Sequence, residues 1–156
     1  METHDLEEIL RRHPFFEGLA PELARLVRGC ARMQRFDPGR RLFREGQPAE
    51  HLYVLRRGRV ALELAAPGHR ALVFQTVDAG DIIGIASLVP PYRSLYDARA
   101  VERTVVIAIE ARCIREKCES DPRLGYELMK RLVPVLFQRL SATRLQLLDV
   151  YGPPAR

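Results

Sequence analysis

Hydrophobic positions change their period twice along the chain. Up to residue 33 they recur at helical spacing. Leu6, Ile9 and Leu10 form a first run, with Thr3 as its N-cap and Pro14 as its stop, and Leu23, Leu26, Val27 and Cys30 form a second that opens at Pro21. Phe15, Phe16 and Leu19 make an apolar joint between the two. From Gln34 the runs shorten and alternate, with Val60, Leu62 and Leu64 set against Glu63 and the pattern repeated by Val105, Ile107 and Ile109. Turn residues punctuate this stretch at Asp37-Pro38-Gly39, Glu45-Gly46-Gln47-Pro48, Arg57-Gly58, Pro67-Gly68, Ala79-Gly80 and Gly84. Turn signals every ~8–12 residues between alternating runs predict an antiparallel sandwich or barrel, here about eight short strands over 34–111.

After Glu110 the helical spacing returns, first over 112–119 and then from the cap Ser120-Asp121-Pro122 towards Tyr151. The long run carries two apolar stripes. Met129, Val133, Leu136, Leu140, Thr143, Leu147 and Val150 step alternately by four and three, the spacing of a coiled-coil seam, while Leu124, Leu128, Leu132 and Val135 form the second stripe. A single small domain has little surface left to cover both, so a homodimer through this helix is expected. Pro134 withholds a donor from the carbonyl of Lys130 and predicts a bend. The reading is one domain over 1–156, with N-terminal helices (1–33), a β body (34–111), C-terminal helices (112–151) and an extended or disordered tail from Gly152.

Composition narrows the function classes. At 156 residues and 47% hydrophobic, the chain can form a core without staples. A net charge of +5, scattered along the sequence, does not by itself imply nucleic-acid binding. The basic positions of the long helix, Arg123, Lys130, Arg131, Arg139 and Arg144, read as a solvated face before they read as a nucleic-acid surface. No apolar run approaches the ~20 residues of a bilayer span, so neither a signal peptide nor a membrane anchor is expected. Cys30, Cys113 and Cys118 have neither zinc-site spacing nor the density of a disulfide scaffold, which predicts buried inert thiols and a reducing cytoplasm. GxSxG, Walker and HExxH motifs are absent, and His51 with His69 makes a poor metal pair, so neither an enzyme nor a metal protein is expected.

Four strings carry a resemblance. His13-Pro14-Phe15-Phe16-Glu17-Gly18-Leu19, the run Leu42 to Glu50, the run Leu52 to Val60, and Ala79-Gly80-Asp81-Ile82-Ile83-Gly84 closely resemble the cyclic-nucleotide-binding domain of the catabolite-activator (Crp/Fnr-like) class of bacterial regulators. The resemblance covers about residues 8–150. It implies a mainly β fold with flanking helices: an eight-stranded antiparallel β-roll of jelly-roll type, N-terminal helices, and a long C-terminal helix that mediates dimers beside a ligand cleft. It further implies a phosphate-binding cassette after Gly84, here Gly84, Ile85, Ala86, Ser87, Arg93, Ser94 and Leu95, with cyclic AMP or cyclic GMP as the candidate ligands.

This chain departs from the family pattern inside that cassette. The glutamate that accepts from the ribose hydroxyl falls on Ile85 and, counting back from Ala100, the phosphate arginine falls on Ser94, with Arg93 one residue early. A hydrogen bond to a charged carboxylate is worth about 1.5–3 kcal/mol, so its loss weakens nucleotide binding roughly ten- to over a hundredfold. Arg93 reads either as an anion anchor or as a surface arginine. Asp97 is a weaker substitute for the missing acid, and Tyr92 and Tyr96 either stack on a base or fill the cleft. Regulators of this class continue into a helix-turn-helix, and only five residues follow Tyr151, so direct DNA binding is not expected. The expectation is a non-catalytic regulatory module that senses a cyclic nucleotide or another small anion and signals through its long helix to an unidentified protein partner. The alternative is a ligand-free scaffold with a degenerate pocket.

Overall fold

The computed structural model describes residues 2–152, with side chains from Leu6 onward. The side chain of Thr3 and the tail 153–156 therefore lie outside the described residues. Helix α1 (Glu2–Arg12), a 3-10 turn (Pro14–Phe16) and helix α2 (Pro21–Arg28) precede eight strands: β1 (Ala31–Phe36), β2 (Arg41–Phe43), β3 (His51–Arg57), β4 (Arg59–Leu64), β5 (Leu72–Asp78), β6 (Ile82–Ile83), β7 (Asp97–Ala100) and β8 (Thr104–Glu110). A short 3-10 helix (Ile85–Leu88) sits between β6 and β7, and α3 (Ala111–Ser120) and α4 (Pro122–Tyr151) close the chain. Pro21 and Pro122 each occupy the first turn of their helix, where the missing N–H is not needed, and Asp121 caps α4 by accepting from the Arg123 N–H.

The strands form two four-stranded antiparallel sheets, ordered β1-β8-β3-β6 and β2-β7-β4-β5. Alternation in the first sheet sorts side chains between two cores instead of between core and water. Leu52 and Val54 of β3, Ile82 of β6, and Ile107 and Ile109 of β8 face a helical layer built from Leu10, Phe16, Val27, Ile114 and Leu128. Their neighbours Tyr53, Leu55, Ile83, Val106 and Ala108, with Phe36 of β1, face the second sheet, against Val60, Leu62 and Ala98. Two-sided burial explains the nearly unbroken apolar runs of β3 and β8.

Glu63, on the outer face of β4, is 3% exposed and holds Arg99 of β7 at 2.6 Å. A carboxylate that deep is tolerable only with its partner, because an unpaired buried charge costs several kcal/mol.

Helix α4 runs through Pro134 as one element of 30 residues. Its two stripes separate as the spacing predicts. Leu124, Leu128 and Leu132 are buried, Val135 is partly so, and Met129, Val133, Leu136, Leu140, Leu147 and Val150 are exposed. Thr143 turns its hydroxyl back onto the carbonyl of Arg139. Among the described residues, no helix is long and apolar enough to cross a membrane.

The cysteine reading requires correction. Cys30 and Cys113, 83 residues apart, form a disulfide with their Cα atoms 5.6 Å apart, and Cys118 alone keeps a free thiol. Motif spacing is blind to such a pair because only the folded roll brings the turn after α2 beside the first turn of α3.

Candidate functional site

Strand β6 leads into Gly84, whose φ of +87° lies in the left-handed region. A Cβ there would stand 2.5 Å from the carbonyl oxygen of His51, so conformation and space both demand glycine. The four-residue 3-10 helix that follows places the remaining cassette residues. Ile85, at the position of the family's acid, is 8% exposed and packs into the helical-layer core. The carbonyl of half-buried Ala86 accepts from the Val89 N–H, and the buried Ser87 hydroxyl donates to the Gly84 carbonyl at 2.6 Å. Beyond the cis Pro90–Pro91 bond, Tyr92 adopts a φ of +58°.

The segment 92–97 is sewn to the loop joining β2 and β3. The Gly46 N–H donates to the Ser94 carbonyl, the Ser94 N–H to Gln47, and the Ala49 N–H to Tyr92, all within 2.8–2.9 Å. Arg93 is exposed, and its guanidinium donates to the Gly46 carbonyl at 2.9 Å. Asp97 accepts from Arg41 Nε at 3.1 Å and from the Glu45 N–H at 2.8 Å, so its carboxylate ties the same loop down. Ser94 is buried and Leu95 is 70% exposed. The amides of Ser87, Val89, Tyr92 and Ser94 are thus each engaged by a backbone carbonyl.

These elements enclose a hollow of about 130 Å³ walled by β2, the β2–β3 loop, His51, Tyr53, Gly84 and Ser94. Ligand sites for small organic molecules usually run from about 300 to 1,000 Å³. No Lys or Arg stands among the described residues of its wall, whereas Glu50 does. Burial, reinforced by the charge of Arg32, pushes the His51 imidazole below its ordinary value, which favours the neutral ring at pH 7. Aromatic side chains occupy the interior beside the hollow. His51 leans on Tyr53, Tyr53 stacks on Phe43, Phe43 meets Tyr96, and Tyr96 meets Phe74, with centroids 5.3–6.1 Å apart. Burial raises the phenols of Tyr53 and Tyr96 above their ordinary range.

Tyr92 does not share that interior. Its ring carries the guanidinium of Arg115, 4.0 Å from the centroid, while Arg115 donates to the Ser87 carbonyl at 2.5 Å. A larger groove of about 720 Å³ lies outside the roll, between Leu88 and Tyr92 on one side and Tyr126 and Met129 on the other. Helix α4 reaches the roll further along, where Arg139 donates to the Ile82 carbonyl and Gln146 to the Phe74 carbonyl. Several basic residues of α4 are engaged within the chain. Arg123 pairs with Asp121, Lys130 and Arg131 share Glu127, and Arg131 also donates to the Glu17 carbonyl. The hydrogen bonds from Arg131 and Lys130 hold the Glu127 carboxyl below its usual range.

The profile of the cyclic nucleotide-binding domain matches residues 33–121, more than half of the chain. The chain belongs to the cyclic nucleotide-binding domain family. A CRP-like cAMP-activated global transcriptional regulator of Mycobacterium tuberculosis is 25% identical over 145 residues, covering 93% of this chain and 63% of that protein. The chain therefore spans less than two-thirds of that relative's length. The N-terminal domain of a Streptomyces coelicolor transcriptional regulator superposes with a TM-score of 0.68 at 25% identity, covering 86% of this chain and 94% of that one. A cyclic nucleotide-binding domain from Methylobacillus flagellatus superposes with a TM-score of 0.79 at 19% identity, covering 99% and 87%. The cyclic nucleotide-binding fold, with its regulatory class, is the architecture expected from the quoted strings. Arg115, Arg139 and the Cys30–Cys113 bond escape local spacing, because each acts on a partner at least 28 residues away.

Proposed function

We propose that this domain is a non-catalytic, cytoplasmic regulatory module that self-associates through α4 and whose roll, in this conformation, does not take cyclic AMP or cyclic GMP. One observation carries the second half of that reading: the hollow behind Gly84 is about 130 Å³, with a carboxylate and no cation in its wall. Placing an anionic phosphate there would bury a charge without a counter-charge, which is strongly unfavourable. The placement of the cassette residues supports the same reading. Ile85 is part of a core, Arg93 holds the Gly46 carbonyl, and Asp97 is engaged by Arg41 and the Glu45 amide. Between a module that senses a cyclic nucleotide or another small anion and a ligand-free scaffold with a degenerate pocket, this geometry favours a roll without a nucleotide.

Titration calorimetry tests it with cyclic AMP and cyclic GMP at concentrations up to about 1 mM, where a Kd of that size corresponds to about −4 kcal/mol. No saturable heat is expected from either. A saturating isotherm with a micromolar Kd would show that the roll opens and that the nucleotide reading is the right one. For self-association, support comes from the uncovered seam, whose 4-3 apolar positions lie on one exposed face over most of α4. Light scattering should report about twice the 17.8 kDa chain mass, and Leu140→Asp should return it to one.

A further inference from the structure

Beyond its seam, the end of α4 carries apolar surface that its own roll does not reach. Leu148 is 63% exposed and Tyr151 81%. Gln146 faces the roll of its own chain, where its amide donates to the Phe74 carbonyl at 2.8 Å. At about 100° per residue, Leu148 points roughly 200° further round the helix and Tyr151 about 140°, so both look away from that roll. With Leu136, Leu140, Leu147 and Val150 at the a and d positions of a heptad, Arg139 and Gln146 fall at g on the roll side. Tyr151 falls at e on the opposite flank, with Leu148 next to it at b. A second bare apolar patch sits on the β4–β5 hairpin. Leu64 and Leu72 are register partners, 39% and 62% exposed, and Leu64 extends the inward row of Val60 and Leu62 past the buried core. Exposed leucines scattered singly are ordinary, whereas these two stand opposite each other at the open end of a core row.

We propose that the two patches cover each other between copies: the hairpin of one protomer seats its Leu64–Leu72 pair against Leu148 and Tyr151 of the other's α4. The inference rests on the self-association proposed above and adds to the seam a second contact made by the roll. Height and side both fit. The Gln146–Phe74 bond fixes the height of β5 on α4, and Leu72 lies two residues from Phe74, about 7 Å along the strand. A parallel two-fold pair keeps that height equal on both helices and sets the g flank of one beside the e flank of the other. Each g flank carries its own roll, through Arg139 and Gln146, so the flank that meets the other copy's roll is the one bearing Tyr151 and Leu148. Antiparallel pairing would instead press the two g flanks together, where each already bears a roll. The hairpin thus braces the end of the other copy's helix, where apolar side chains extend past the width of a two-helix seam.

The experiment uses the full chain with the photoreactive benzoylphenylalanine in place of Leu148, mixed as ordinary and heavy-nitrogen protein so that links between chains differ in mass from links within one. Illumination should join position 148 of one chain to residues 64–73 of the other. Leu72→Ser, at a site the monomer leaves exposed, should raise the dimer dissociation constant about tenfold or more, because each substitution acts twice in a two-fold pair. Its urea midpoint in dilute solution should stay that of the unaltered chain. If the bulky residue at 148 blocks association, Leu72→Ser still decides. A dimer whose links from 148 run only to the other α4, or only within one chain, overturns the contact, as does a Leu72→Ser dimer that dissociates like the unaltered one. A monomer at every concentration removes the self-association reading and this contact with it, so the two failures remain distinguishable.

Discussion

Leu128 and Met129 are neighbours on α4 with opposite surroundings, and truncating each to alanine tests the two-sided helix directly. Leu128 is 2% exposed within the helical-layer core, whereas Met129 is 47% exposed on the seam. Leu128→Ala removes about three buried methylene-sized groups at roughly 0.8 kcal/mol each, or about 2.4 kcal/mol, and the cavity left behind raises the loss to about 3–4 kcal/mol. Met129→Ala removes a side chain that the isolated chain half exposes, so its cost to the dilute protein should stay within about 0.5–1 kcal/mol. Its effect belongs to the proposed dimer, where it should appear as weaker association. Urea unfolding followed by circular dichroism at low and high protein concentration separates the two terms, because only the association term depends on concentration. Leu128→Ala should lower the midpoint at both concentrations, and Met129→Ala should flatten the concentration dependence. A Leu128→Ala loss below about 1 kcal/mol, or an equal loss for Met129→Ala in dilute solution, would mean that the faces of α4 are assigned wrongly.

Two further outcomes follow from buried groups. Arg99→Met should cost about 3 kcal/mol in urea unfolding by leaving Glu63 buried without its partner, and adding Glu63→Gln should recover part of that loss, a recovery that a merely surface pair would not show. His13 donates through Nε2 to the Leu55 carbonyl at 2.8 Å and accepts the Phe15 N–H at Nδ1, so both ring nitrogens are engaged in the neutral form. Burial, with a smaller push from Arg56, lowers its proton affinity below the ordinary value, while the Leu55 bond and Asp81 act the other way; His51 is lowered too. The unfolded chain therefore binds more protons than the folded one as pH falls below about 6.5, and stability must drop by at most about 1.4 kcal/mol per pH unit for each histidine. Urea midpoints at pH 7.5 and 5.5 should show that drop, smaller in His13→Gln, and a rise on acidification would contradict the assignment.

The large features were legible because their signals are periodic. Turn residues spaced through 34–111 predicted the strands, although β1 opens at Ala31, inside the stretch read as helical, and the 4-3 steps from Met129 to Val150 predicted the exposed face of α4. Local reading fails where a residue's role depends on a distant partner. Glu63 looks like an ordinary polar alternation, yet it is buried with Arg99, which reaches it diagonally from the position opposite Ala61 across β4 and β7. Asp97 reads as a candidate ligand acid until Arg41 and the Glu45 amide are found on it. The two tyrosines at 92 and 96, four residues apart, divide between an outward stack on Arg115 and the aromatic interior, a division that composition cannot decide. Cys30 and Cys113 belong to the same class of hidden pair, since nothing short of the fold brings them together.

The cassette shows how a binding element can change its chemistry and keep its architecture. An acid at position 85 would have to be neutralised or paired among the apolar side chains that now surround Ile85, whereas the isoleucine adds buried area to the same core. The Ser87 hydroxyl closes on Gly84, and Arg93 and Asp97 fasten the β2–β3 loop across the hollow. Within the segment, the amides of Ser87, Val89, Tyr92 and Ser94 and the Arg93 guanidinium are all engaged by carbonyls of the chain itself. The cassette's firmest side-chain tie outside the roll is Arg115 on α3, so whatever moves α3 moves the cassette with it.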